Sequence, residues 1–335
     1  MTHSRSPVAA LAVAAAAAIV LPFFVANQYQ LHLATLIATY WILVAGLNLV
    51  VGFSGQLSIG HVGLLAIGSY AFAILAGQHG VDPFIATMAA GAIGATCGFL
   101  VGLPSLRLPG FYFAMATLAF ALIVGELSLA EQDLTGGGAG LPVPSFPAPF
   151  DTPEGFYWLV LAMAALVTWV TVNIARLMWG RALVAIRDSE VAARANGVPV
   201  FRMKLLVFTF SGFTAGVSGA LFASLQTYVT PETFTFELGL FFFIAIIVGG
   251  RGGILGPFLG LVLLTLLPEV VAPLARVGNF FYGALLLVVV LAVPEGIGHL
   301  VSTLRERFRP IKLEKQPVSP DLTRLATAIH AGKRG

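Results

Sequence analysis

Residues 46–63 read GLNLVVGFSGQLSIGHVG, and their interpretation decides the architecture. Five glycines (Gly46, Gly52, Gly55, Gly60, Gly63) and five polar side chains (Asn48, Ser54, Gln56, Ser58, His61) interrupt a stretch that is otherwise aliphatic. The surroundings are just as apolar. The 335-residue chain is 58% hydrophobic and only 10% charged, with a mean hydropathy of +0.93, against roughly 25% charged for an ordinary soluble domain. The solvent for most of this chain is therefore lipid, where open backbone is tolerated only if protein covers it or it lines a watery cavity. One reading of the segment is a broken helix beside a transport pathway, with Asn48, Ser54, Gln56, Ser58 and His61 as pathway residues. The other is a tight cytoplasmic turn at residues 52–56, with Gln56 and Ser58 wetted at a helix end. A lone histidine without a second ligand at metal spacing is more often a hydrogen-bonded packing residue.

Outward from this segment, a helix needs about 20 mainly apolar residues to cross the hydrocarbon. Such runs predict an all-α polytopic membrane protein with about ten transmembrane helices, some broken or re-entrant. They fall near Val8–Phe24, Leu31–Val51, Leu57–Ala76, Phe84–Leu103, Phe111–Leu129, Phe156–Ala175, Leu205–Leu225, Leu238–Val248, Ile254–Leu267 and Val277–Val293. The eighth and ninth are too short to cross straight, and could cross twice or form a re-entrant hairpin. Residues 1–30 then hold an amino-terminal segment and first span, 31–294 a transmembrane domain with a cytoplasmic loop at 176–204, and 295–335 a polar tail. Of 18 Lys and Arg residues, six lie in 176–204 and eight after Pro294, so the positive-inside rule puts that loop and both termini in the cytoplasm. The acidic, proline-rich connection 130–155 is expected on the outside, ordered and without a helix of its own.

Two further interruptions stand out. The stretch from Arg181 to Lys204, RALVAIRDSEVAARANGVPVFRMK, punctuates a cytoplasmic helix of about two turns. Asp188 is a candidate cap, Glu190 suits the positive end of the helix dipole, Gly197 suits a left-handed stop, and Pro199 blocks continuation. So short a helix must be held by packing, either in a groove on another protein or against headgroups with Arg187 and Arg194 snorkelling. In the third stretch, residues 246–260, glycines surround Arg251 and break any helix. Glycines at intervals of four (Gly94, Gly98, Gly102; Gly212, Gly216; Gly256, Gly260) predict close helix packing in lipid.

Several functions are excluded. No glycine cluster is followed by Lys then Ser or Thr, so the chain has no phosphate loop. The single cysteine, Cys97, offers neither a disulfide nor a cysteine metal site. Glu126, Glu232, Glu237 and Glu269 all sit near span ends, which leaves no mid-membrane proton relay. No basic run is interleaved with aromatics for nucleic acid. A membrane enzyme lacks its nucleophile, base or metal cluster.

A recognisable pattern runs from about Leu36 to Gly296: GLNLVVGFSGQLSIGHVGLLAIGSY, GLPSLRLPGFYFAMATLAFALI, LTGGGAGL, GRALVAIRDSEVAARANGVPVFRMKLLVFTFSGFTAGVSGALFA, PETFTF, VGGRGGILGP and VPEGI, in that order. It resembles the inner-membrane permeases of branched-chain amino acid ABC importers, of the LivM type. The resemblance implies translocation of branched-chain or related hydrophobic amino acids, or in related permeases urea, short amides or aromatic acids. It also implies a second, LivH-type permease, two cytoplasmic ATPases that hold the ATP and Mg, and a periplasmic solute-binding protein. On this resemblance Arg187, Asp188, Glu190, Ala192, Ala193 and Gly197 belong to the coupling helix that docks into an ATPase, and the chain needs no cofactor of its own. A secondary transporter or channel is the alternative from another class.

Overall fold

A computed structural model of the chain describes residues 27–108 and 110–271. The predicted spans Val8–Phe24 and Val277–Val293, the tail 295–335 and the basic residues after Pro294 lie outside the described residues. Within them the helices are α1 (Gln28–Asn48), α2 (His61–Phe72), α3 (Pro83–Ser105), α4 (Gly110–Ala130), α5 (Gln132–Thr135), α6 (Pro153–Arg176), α7 (Met178–Asp188), α8 (Glu190–Ala195), α9 (Val200–Gln226), α10 (Phe236–Gly249) and α11 (Leu255–Val271). Wider π-helical turns extend α1 through Leu49–Phe53 and α2 through Ala73–Gln78. Seven helical segments of this described part are long and apolar enough to cross a membrane, and α11 is a shorter eighth. The chain is a multi-pass membrane protein.

Local sequence explains where the helices start. The side chains of Asn27, Asp82, Thr152 and Thr235 each accept a backbone N–H from the first turn that follows, and Pro83 and Pro153 fill first-turn positions whose N–H needs no partner. Hydroxyls inside the spans turn back on their own helices: Thr35 donates to the Leu31 carbonyl, Thr39 to Thr35, Thr87 to Pro83 and Thr168 to Ala164. No hydroxyl among these four is left bare in an apolar setting.

The centre of the bundle is α9, which packs against α1, α2 and α3. Glycines set the distance. A Cβ on Gly94 would land on the Gly212 carbonyl oxygen, and one on Gly216 would land on the Ala90 carbonyl oxygen. The paired positions run in opposite directions, so α3 and α9 are antiparallel, and the four-residue glycine stripes meet as expected. Between α2 and α9 the paired positions rise together instead, which makes them parallel: Gly68 abuts Gly216, and Ser69 donates to the Gly219 carbonyl at 2.8 Å. Ser218 donates to the Thr39 carbonyl of α1 at 2.8 Å. Helices α1 and α9 are largely buried, whereas α3, α4 and α6 turn apolar side chains such as Met88, Phe111, Ile123 and Trp169 outward.

Three expectations need correction. The run Leu238–Val248, expected to be too short to cross straight, lies in a 19-residue segment, Pro231–Gly249, long and apolar enough to do so. The third predicted span begins at His61, not Leu57, because residues 55–60 are not helical. The connection 130–155 does contain a helical turn, α5, where Thr135 donates to the carbonyls of Ser128 and Glu131 before left-handed Gly136 ends it. A two-residue strand, β1 (Leu141–Pro142), then pairs antiparallel with β2 (Tyr228–Val229) and ties this connection to the end of α9.

Candidate functional site

The break after α1 is longer than a tight turn. The π turn ends at Phe53, Ser54 donates to the Val50 carbonyl at 2.7 Å, and the Gln56 N–H closes back on the same carbonyl at 3.0 Å. Gly55 sits at φ +73, a left-handed conformation that a side chain adopts only with strain. The chain then runs non-helically to Gly60. Its Ile59 N–H donates to Thr117 Oγ1 at 3.3 Å, and Gly239 of α10 lies against the Ile59 carbonyl.

All five predicted pathway residues are buried. His61 bridges two serines: Ser58 Oγ lies 2.9 Å from Nδ1 and Ser211 Oγ 2.8 Å from Nε2. Ser211 sits eleven residues into α9, roughly 16 Å along its axis at 1.5 Å per residue, so α2 starts deep within the bundle. Asn48 Nδ2 donates to the Gly253 carbonyl at 2.8 Å, and Gln56 Nε2 donates to Ser54 Oγ at 2.9 Å. Among the described residues nothing bonds Asn48 Oδ1 or Gln56 Oε1, and an acceptor so placed is costly unless water or another group reaches it.

The second segment folds as a short helix with a different cap from the one expected. Ser189, extended at φ −160, accepts from the Ala192 N–H at 3.3 Å, while Asp188 closes α7 and pairs with Arg187 Nε at 3.3 Å. Both are good cap residues, and the end of α7 decides between them. Gly197 takes the left-handed stop at φ +79. Of the predicted coupling residues, Ala193 is buried and Ala192 exposed, beside a Val191 that is 79% exposed. Glu190 bonds Lys204 Nζ at 2.7 Å and Arg194 Nη2 at 2.5 Å. The hydrogen bond from Lys204 holds its carboxyl below the usual range, with Arg194 adding to the effect and partial burial opposing it.

In the third segment α10 stops at Gly249 and α11 starts at Leu255, so residues 250–254 form a turn. Glycines let the two helices touch antiparallel: a Cβ on Gly249 would strike the Gly256 carbonyl, and one on Gly260 the Ala245 carbonyl.

These three segments, far apart in sequence, converge. One cleft of about 290 Å³ is lined by Ser54 and Gln56 from the break and by Arg187, Asp188, Glu190 and Lys204 from the second segment. Asn48, Ser58 and His61 are not part of that lining and sit in the buried network behind it. A second cleft, about 400 Å³, opens at the other end of the bundle among Tyr29, His32, Thr35, Asp151 and Ser224. Ser211 and Ser218, fully buried on α9, escaped the sequence reading. The visible signal was a polar stripe, Ser211, Thr214 and Ser218, recurring at helical spacing in an apolar span.

Among the described residues no carboxylate is buried, and no group of three His, Cys, Asp or Glu could hold a metal. Neutral polar groups occupy the interior, while Arg187, Asp188, Glu190 and Lys204 line one cleft and Asp151 the other.

Comparison with known proteins agrees. Residues 29–290 match the family model described as branched-chain amino acid transport system / permease component. The high-affinity branched-chain amino acid transport system permease protein LivM of Salmonella typhimurium is 34% identical over 307 residues, covering 84% of this chain and 72% of that protein, and LivM of Escherichia coli aligns to the same extent. The LivH permease protein of Salmonella typhimurium is 26% identical over 293 residues, 81% of this chain and 94% of that protein. No solved structure matches. With nearly all of its described helices inside the matched region, this chain belongs to the family of branched-chain amino acid transport system permease components.

Proposed function

We propose that this chain is the LivM-type permease subunit of an ATP-binding-cassette importer that carries branched-chain or related hydrophobic amino acids across a bacterial inner membrane. Its partners on this reading are a LivH-type permease, two cytoplasmic ATPases that bind ATP and Mg, and a periplasmic solute-binding protein. The chain itself performs no catalytic step. The observation that carries the reading is α8: six residues long, with Val191 and Ala192 presented outward and Glu190 clamped by two cations, directly beside the membrane break. A helix this short gains little from its own hydrogen bonds, so ion pairs and docking define its position. ATPase closure would displace it as a rigid lever, and the buried polar groups Asn48, Ser54, Gln56 and Ser58, with His61 as a fixed strut, would face the passing zwitterion without binding it too tightly to release.

The test is co-expression of the tagged chain with its four partner subunits. The ATPases should co-purify, and reconstituted vesicles should take up leucine only with ATP and loaded binding protein. Uptake by this chain alone under an ion gradient would replace the importer with a secondary transporter. For orientation, a cysteine at Ser189 should resist an impermeant reagent in intact cells while one at Thr152 reacts, and labelling at Ser189 would invert the topology.

A further inference from the structure

Arg187, the penultimate residue of α7, reaches all three interruptions. Its Nη1 donates to the Gly52 carbonyl at 3.0 Å. Gly52 lies in the π turn that closes α1, where the last carbonyls of a helix have no onward N–H and the negative end of the helix dipole collects. A guanidinium satisfies both conditions at once. Glycines make room for it: a Cβ on Gly55 would stand 2.7 Å from Arg187 Cγ, and one on Gly252, in the turn between α10 and α11, 2.8 Å from Arg187 Nη1. Through Nε the same guanidinium holds Asp188, one residue before the cap of α8. Asn48 separately joins α1 to the Gly253 carbonyl of that turn, so the end of α1 and the α10–α11 turn form one body, and Arg187 is its side-chain link to the cytoplasmic helices.

Resting on the importer reading, we propose that Arg187 is the positioning residue that passes the motion of α8 into the membrane, gripping the Gly52 carbonyl beneath the Gly252 turn so that the break moves when the cytoplasmic helix moves. Lys204 and Glu190 line the same cleft but are paired with each other and leave this grip to Arg187.

The experiment compares wild type, Arg187→Gln and Arg187→Lys in the complete reconstituted complex with leucine-loaded binding protein. In the assembled complex Arg187→Gln should lower leucine-stimulated hydrolysis and uptake roughly tenfold, the scale of one lost charged hydrogen bond. Arg187→Lys, which keeps a cation and a donor, should recover part of the stimulation. Wild-type stimulation and uptake in Arg187→Gln would overturn the proposal. Loss of assembly in Arg187→Gln and Arg187→Lys alike would overturn it too, by making Arg187 a folding residue. Failure of the wild-type chain itself to co-purify with ATPases or to import leucine would sink the importer reading, a distinct result.

Discussion

Glycine does two different jobs in this bundle, and the contrast separates close helix packing from breaks in the chain. Along α3 and α9, Gly94, Gly98, Gly212 and Gly216 are helical, spaced by four, and pressed onto the backbone of the facing helix. At the end of α1, past α8 and between α10 and α11 they cluster or stand alone at positive φ, as at Gly55, Gly197, Gly250 and Gly252. In the first region a side chain would meet a carbonyl that cannot move without shifting a whole helix. At Gly55 and Gly252 a Cβ would meet Arg187, and at Gly197 nothing within 4 Å. The stripe therefore fixes distance, and the breaks fix direction.

The largest effect is expected in the stripe. Gly94→Leu would drive a branched side chain into the Gly212 carbonyl and the Gly216 Cα, and overpacking of this kind costs about 1–3 kcal/mol where neighbours can adjust, with more expected against backbone. Most full-length protein should disappear from membranes, and the remainder should melt earlier in detergent. Normal levels and melting would mean that α3 and α9 are not held by this stripe. Gly55→Ala should act more selectively. The left-handed conformation costs an alanine about 1 kcal/mol, and the added methyl pushes against Arg187 Cγ. The complex should still accumulate while uptake falls several-fold, so an intact uptake rate in membrane vesicles would show that the break tolerates displacement of the arginine.

Much of the scaffold was legible in the sequence because its signals are local or periodic. Apolar runs located the described spans, four-residue glycine spacing marked α3 and α9 as closely packed without saying that they pack on each other, and Gly197 followed by Pro199 located the stop after α8. The misses have physical causes as well. Leu57 looked like a span residue because apolarity does not distinguish buried helix from buried extended chain. Asp188 and Ser189 are equivalent as caps until the end of α7 is known. A bond from Arg187 to Gly52 crosses 135 positions, and nothing in either residue's neighbourhood announces the other. The same holds for His61 with Ser211, although the polar stripe on α9 marked half of that pair.

Two smaller effects sharpen the distinction within the breaks. A Cβ at Gly197 would meet no neighbouring atom within 4 Å, so the cost assigned to Gly197→Val is backbone strain at φ +79, about 1–2 kcal/mol for a β-branched residue. Protein level should be unchanged while ATPase co-purification drops, because only the exit of the chain from α8 is redirected. Full co-purification would detach α8 from ATPase binding. Gly253→Ala should do least of all. Gly253 has no atom near the place of a Cβ and no left-handed φ, and its one specific contact, the carbonyl that accepts from Asn48, survives the change. Removing a glycine where the native backbone suits alanine restricts the unfolded chain and adds about 0.4–1 kcal/mol of stability. Uptake should match wild type, with a melting temperature equal or slightly higher. A clear loss of uptake would mean that the α10–α11 turn must adopt a second conformation during transport, one in which residue 253 needs the freedom of glycine, and the turn would then join Gly55 among the moving parts.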